Sequence, residues 1–478
     1  MNRNLIARMV GLILRIEAVC MLPCLAIALP AGWADTRGFL AAIAACMLLS
    51  AALSQCNITN RRLQTRDGFA AVALCWIAIS LLGAMPYAFH GFSYIDAVFE
   101  TVSGFTTTGA TIVSSPAALP RSLQFWRAET QWLGGMGVLV LMLALLPSLG
   151  EGSVNLMKAE SPGPISSKLH PKTSETARAL YTIYIVLTLA QTLLLWVAGM
   201  PLFDSLTTAF TTISTGGFSV RDASIAYYHS EAINWIIVAF MFVSAVNFSV
   251  LFQLHRRQFR EALGSEELRV YSGVTLGAVA LIAADLIFRA GKGLYDGFSQ
   301  AAFQVVTLMT TTGYATADFD LWPRFSKMIL LLVMLVGGCA GSTAGGVKIA
   351  RIVILFKSLK RELRRILHTR EVRPLMLDGA RVEERTASSV SVFFFAYVVI
   401  LIAAAAVVSL DGLDLETSLS AALTTISNVG PGFGLIGPTR TFAFLSSPSK
   451  LMLTLTMLLG RLEIMPLFIL LIPSTWKK

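Results

Sequence analysis

Residues 210–220 read FTTISTGGFSV, and residues 307–316 read TLMTTTGYAT. Two more stretches share their character: GFTTTGATI at 104–112 and TTISNVGPGFG at 424–434. Set without gaps, the segments are 99–109 FETVSGFTTTG, 207–217 TTAFTTISTGG, 303–313 FQVVTLMTTTG and 420–430 SAALTTISNVG. Four positions before the last glycine stand Phe105, Ile213, Met309 and Ile426, all apolar. Hydroxyls follow at Thr106, Ser214, Thr310 and Ser427, then Thr107, Thr215, Thr311 and Asn428. Next come Thr108, Gly216, Thr312 and Val429, and each copy closes on glycine: Gly109, Gly217, Gly313 and Gly430. One TTG carries no information; four in one register rule out ordinary turns.

The surroundings say where these clusters lie. The chain has 478 residues, 55% hydrophobic and 14% charged, with mean hydropathy +0.69. A soluble domain carries about 25% charged residues, so these charges are too few to cover a water-facing surface. Apolar runs long enough to cross a bilayer occur at 5–30, 38–58, 68–89, 126–148, 176–199, 231–254, 270–290, 325–356, 390–410 and 448–472. The pattern AIALPAGWA near residue 30 resembles a signal-peptidase site, but another apolar run follows at once, so the first segment reads as a retained helix.

Each polar cluster follows about a dozen apolar residues, enough for a re-entrant half-helix and too few for a span. The expected fold is therefore an all-α polytopic membrane protein. Two leading transmembrane helices (1–60) precede four pseudo-symmetric helix–pore-loop–helix repeats around one pore, at 61–150, 151–258, 259–375 and 376–478.

Basic residues orient this layout. Twenty-seven Lys and Arg fall on one side, including Arg61, Arg62, Lys158, Lys168, Lys172, Lys477 and Lys478 and eleven between Lys348 and Arg385. Ten fall on the side from which the clusters enter, and Arg461 lies inside the last apolar run. The positive-inside rule puts both termini in the cytoplasm. Orientation thus accounts for the net charge of +10, and no nucleic-acid partner is implied.

The clusters suggest their own chemistry. Non-helical backbone survives at membrane depth only where it is walled by protein or lines a water-filled path. Four glycine-containing segments around an axis can present rings of carbonyl oxygen that replace a cation's hydration shell, with Thr and Ser hydroxyls as further ligands or braces. The candidate filter is Thr107, Thr108, Gly109; Thr215, Gly216, Gly217; Thr311, Thr312, Gly313; and Asn428, Val429, Gly430, with no carboxylate among them. Acidic residues near the half-helix starts, Asp96, Glu100, Asp204, Asp296, Asp414 and Glu416, either favour cation entry or complement helix dipoles. The six cysteines form no CxxC pair and the five histidines no HExxH, so they read as small packing residues and scattered imidazoles.

The eighth apolar run contains VGGCAGSTAGGVK at 336–348. So many glycines cannot hold a helix, so an intramembrane loop is expected below the filter, with Gly338, Gly341, Ser342, Thr343, Gly345, Gly346 and Lys348 as gate candidates. Close helix packing on small residues is the other reading. LGGMGV (133–138), VGGCAG (336–341) and LGRLEI (459–464) align, placing Arg461 where two repeats have Gly135 and Gly338. A buried arginine faces a water cavity or a partner. Arg461 is therefore expected either to project into the pore below the filter or to meet a carboxylate of another repeat. The basic stretch after the loop suits anionic lipid, a docking protein or a dimer contact.

These motifs resemble the Trk/Ktr/HKT superfamily of potassium transporters, specifically the bacterial Trk-system membrane subunits of the TrkH/TrkG type, over essentially the whole chain. The resemblance implies potassium uptake across the bacterial inner membrane by a non-enzymatic, gated pathway, with potassium held at the filter residues and no organic cofactor. It also implies a homodimer and a cytosolic nucleotide-binding regulatory subunit of the TrkA type. Glycine rather than serine at residue 109 implies potassium over sodium; Asn428 and Pro431 depart from the other repeats. A proton- or sodium-coupled symporter is the rival. It calls for titratable groups at mid-membrane, for which the sequence offers chiefly Arg461 and Glu463. A membrane enzyme would need a catalytic constellation that the sequence lacks.

Overall fold

The computed structural model describes residues 2–56, 65–137, 173–368 and 374–476. Arg61, Arg62, Lys158, Lys168, Lys172, Lys477, Lys478 and the second half of the 126–148 run lie outside them. The fold is all-α, as the apolar runs require; among the described residues the one strand pairing joins Met376–Leu377 to Ala380–Arg381.

The leading helices, Arg3–Ala28 and Trp33–Ser54, run against each other at close range. The Ser50 hydroxyl donates to the Gly11 carbonyl at 2.5 Å and accepts from Arg15 Nε at 2.7 Å. Four similar units follow. Their outer helices are Thr65–Gly83, Thr173–Val197, Glu266–Phe288 and Glu384–Ser409. Their half-helices are Tyr94–Phe105, Leu202–Ile213, Leu294–Met309 and Leu415–Ile426. Three have 12 residues and the third unit's has 16, so they are about 18 to 24 Å long, short of a core about 30 Å thick. One 3-10 turn then precedes each inner helix: Pro116–Ala118, Ser224–Tyr228, Phe319–Leu321 and Gly434–Ile436.

Polarity is arranged for lipid as solvent. The outer helices expose Leu189, Val197, Leu276, Phe288, Phe395 and Ile402, while Thr101, Thr211, Thr307 and Thr425 of the half-helices are fully buried. Thr101 and Thr425 return their hydroxyls to the carbonyls of Ala97 and Ala421, at 2.7 and 2.8 Å, so these two polar groups are satisfied within their own helices.

The inner helices depart from the sequence expectation. Among the described residues six stretches are continuous and long enough to cross: Arg3–Ala31, Trp33–Ser54, Arg66–Phe89, Arg178–Val197, Glu266–Phe288 and Glu384–Ser409. The runs read as continuous at 231–254 and 448–472 are instead broken, bending by 102° between Glu231–Ser244 and Phe248–His255 and by 119° between Ser447–Arg461 and Met465–Leu471. Local residues explain both breaks. Asn247 caps the second piece of the former through Ser249 N–H, and Glu463 and Ile464 take positive φ of 56° and 68° in the latter. In the third unit, Arg324–Val336 and Ile349–Leu367 flank the non-helical glycine-rich stretch. The first unit's inner helix, Arg121–Gly135, ends at the aligned glycine.

Candidate functional site

The half-helices end identically. Thr106, Ser214, Thr310 and Ser427 are their C-caps. The next residue, Thr107, Thr215, Thr311 or Asn428, is left-handed, with φ of 54°, 55°, 57° and 55°. Thr107 N–H donates to Gly104 O and Thr108 N–H to Ser103 O, both at 2.9 Å; the same pair of bonds recurs at Thr215 and Gly216, Thr311 and Thr312, and Asn428 and Val429. This is the Schellman arrangement, normally built on glycine. Threonine pays for that conformation with strain of about 1–3 kcal/mol. Sequence reasoning placed these residues in the candidate filter but assigned backbone freedom to the glycines alone, because threonine argues against a left-handed cap. What betrayed the position was its register across four copies.

The closing glycines are left-handed too, with φ of 79°, 74°, 84° and 103° at Gly109, Gly217, Gly313 and Gly430. Each also abuts a carbonyl of another unit. A β-carbon at Gly109 would run into Gly216 O, at Gly217 into Thr312 O, at Gly313 into Val429 O, and at Gly430 into the Thr108–Gly109 backbone. The contacts pass from unit 1 to 2 to 3 to 4 and back to 1, so the twelve candidate filter residues form a closed ring. Four half-helix C-termini meet there, and the partial negative charge of those ends favours a cation.

Side chains behind the ring hold it in shape. Glu100, fully buried, pairs with Arg127 at 2.8 Å. It also accepts the Ile112 N–H at 2.9 Å and the Thr111 hydroxyl. Arg127 reaches on to Ser219 O in unit 2 at 3.0 Å. Glu100 is thus a brace, and neither sequence-based role fits it. Asp96, Asp204, Asp296 and Glu416 do sit in first helical turns, and Asp414 is an N-cap. Asp96 pairs with Lys450 at 2.6 Å, Asp204 with Arg221 at 2.8 Å and Glu416 with Lys327 at 2.6 Å. Glu100→Ala leaves a buried guanidinium without its counter-ion, at an expected cost of about 3–5 kcal/mol. The thermal unfolding midpoint of the purified protein should fall sharply; an unchanged midpoint would remove Glu100 from the scaffold.

The glycine-rich stretch lies against the half-helix C-termini. Gly345 N–H donates to Thr311 Oγ1 at 2.7 Å and Gly346 N–H to Ser427 O at 2.9 Å. The Thr343 hydroxyl reaches Ile213 O and Ser244 O, each at 3.1 Å. The loop therefore touches units 2, 3 and 4 at the base of the ring. Gly338 packs on Ala344 and Ala245, Gly341 O accepts the Phe248 N–H at 3.0 Å, and the Ser342 hydroxyl donates to Cys339 O at 2.6 Å. Lys348 is buried with φ of 79°, its ammonium on Ala344 O. Arg461 ends its helix by donating to Thr343 O at 2.8 Å, to Gly135 O at 2.7 Å and to Gly134 O. Its guanidinium thus joins unit 4, the loop and the end of the unit 1 inner helix.

Two other charged residues around the loop, Glu267 and Arg351, were missed in the sequence. Glu267 Oε1 accepts the Ala340 N–H at 2.6 Å and the Ala350 N–H at 3.2 Å, bracing the loop and the helix after it. Arg351 pairs with Glu463 at 2.5 Å. Buried acids within the apolar runs are also more numerous than expected. Glu17 and Glu129 are buried and accept the thiols of Cys46 and Cys24, at 3.7 and 3.2 Å. Both lie inside apolar runs, where a carboxylate is costly as Arg461 is, and the sequence reading passed over them.

Comparisons with known proteins agree with this architecture. The profile of the TrkH family, described as a cation transport protein, matches residues 35–269 and 294–478. The Trk system potassium uptake protein TrkH of Halomonas elongata is 37% identical over 484 residues, spanning 100% of both chains. The protein of that name from Salmonella typhimurium is 39% identical over 432 residues, 88% of each chain. The crystal structure of the potassium transporter TrkH from Vibrio parahaemolyticus matches with a TM-score of 0.89 over 100% of both chains, at 35% identity.

Proposed function

Because the chain belongs to the TrkH family of cation transport proteins, we propose that it takes up potassium through a gated, channel-like pore whose filter is the ring just described. Thr107–Gly109, Thr215–Gly217, Thr311–Gly313 and Asn428–Gly430 supply the backbone oxygens. The loop at 336–348, held by Arg461, obstructs the path beneath them. Potassium is the transported substrate, and no chemical step or organic cofactor enters the scheme.

The observation that carries this reading is the cyclic approach of each closing glycine to the next unit's backbone. A ring of main-chain oxygens can compensate the dehydration of a monovalent cation, where a ring of carboxylates would favour divalent ions. The setting that goes with it is a bacterial inner membrane with both termini cytoplasmic, a homodimer, and a cytosolic nucleotide-binding subunit of the TrkA type acting on the loop. The basic helix Ile349–Leu367 begins where the loop ends, which gives such a subunit a handle.

The buried acids Glu17 and Glu129 favour the coupled symporter as the second reading. Reconstitution separates the two. In liposomes, rubidium uptake should follow the potassium gradient, exceed sodium uptake and ignore an imposed proton gradient. Uptake that requires the proton gradient would make the protein a symporter.

A further inference from the structure

We propose that Gln131 is a positioning residue that fixes the ion discrimination of the pathway by standing in for a side chain that unit 2 lacks. The inference rests on the ring acting as the filter. Units 1 and 3 read Thr-Thr-Gly, and there the residue before the glycine is tied by its own hydroxyl: Thr108 Oγ1 lies 2.7 Å from Thr106 Oγ1, and Thr312 Oγ1 2.8 Å from Thr310 Oγ1. Unit 2 reads Thr-Gly-Gly. Gly216 and Gly217 are consecutive, giving this segment more backbone freedom than any other in the ring.

Gln131, fully buried on the unit 1 inner helix, removes that freedom from outside. Its Nε2 donates to Gly216 O at 2.7 Å and its Oε1 accepts the Phe218 N–H at 3.0 Å. The two bonds flank Gly217 and fix the peptide planes on both sides of it. The amide also fills the space a side chain would take, since a β-carbon at Gly216 would run into Gln131 Cδ and Oε1. Arg127, one turn earlier on the same face, extends the support by reaching Ser219 O and lying over the Phe218 ring at 4.1 Å.

The equivalent positions of units 3 and 4 lack this support. With Gly135, Gly338 and Arg461 aligned, Gln131 corresponds to Met334 and Met457, and Arg127 to Leu330 and Leu453. All four are fully buried. Two inner helices therefore carry apolar packing where the unit 1 helix carries a polar clamp, and the clamp faces the one segment with two adjacent glycines. A purely structural need for a buried amide does not predict that coincidence.

The test compares sodium and potassium flux in proteoliposomes. The flux ratio does not depend on how much protein is reconstituted. Gln131→Met installs the residue of units 3 and 4, and Gln131→Glu keeps the acceptor for Phe218 N–H while removing the donor to Gly216 O. Either is expected to raise sodium flux relative to potassium by about tenfold. Adding Gly216→Thr to Gln131→Met, which recreates the sequence of units 1 and 3, is expected to return most of the discrimination. If Gln131→Met does not insert, Gln131→Glu gives the same readout. A wild-type ratio in the reconstituted single variants, or no recovery in the double variant, overturns the proposal. Gly217→Ser serves as the reference. If it abolishes discrimination while the Gln131 variants keep it, only this inference fails; if it too keeps the wild-type ratio, the filter reading fails with it.

Discussion

Gly217→Ser is expected to erase the preference for potassium over sodium, a change of about 100-fold in relative flux. The argument is steric before it is electrostatic. Gly217 has φ of 74°, a conformation in which any β-carbon is strained. That β-carbon would also occupy the place of Thr312 O. The carbonyl belongs to the next unit and its peptide is already committed, because the Gly313 N–H of the same plane is bonded to Thr307 O at 3.2 Å. It therefore moves by rotating its peptide plane, which changes the spacing of the ring. Rubidium, potassium and sodium flux through the reconstituted variant measure the outcome directly. Retained discrimination would show that the ring does not select the ion.

The second large effect is expected at Arg461. Its bonds to the carbonyls of Thr343, Gly135 and Gly134 connect three separate elements, so they cannot all survive displacement of the loop. Hydrogen bonds to a charged group contribute about 1.5–3 kcal/mol each. Losing even one or two shifts a closed-to-open balance by about 100-fold. Arg461→Ala should thus raise resting rubidium leak by about that factor in liposomes containing this chain alone. Arg461→Lys separates a tether from a charge barrier. It keeps the positive charge and loses the planar fork, so high leak identifies the tether and low leak the barrier. A tight Arg461→Ala variant would leave neither role standing.

Much of the fold is legible in the sequence because lipid imposes a coarse grammar. Apolar length marks the spans, and the four clusters mark where the chain turns back. The fine structure of the same segments is not legible. Thr107, Thr215 and Thr311 take a conformation that their own β-branching opposes, and only the surrounding ring can hold them there. The inner helices look continuous at 231–254 and 448–472 because hydropathy does not register a bend; the breaks come from Asn247 capping and from backbone reversal at Glu463 and Ile464. The braces are least visible of all. Arg127 finds Glu100 27 residues away, Ala340 finds Glu267 at 73, Gln131 finds Gly216 at 85, and Arg351 finds Glu463 at 112. Pairing over such distances leaves no spacing to read. Arg461 was visible because arginine is costly in an apolar run, although its partners proved to be main-chain carbonyls.

The ring of glycine contacts has a sense of rotation. Each unit leans on its successor, and the last leans on the first. An injury to one segment is therefore handed forward, and its victim is the following neighbour before the preceding one. Fourfold likeness in such an assembly does not make the quarters independent: each borrows its shape from the next, so all four must stay in step.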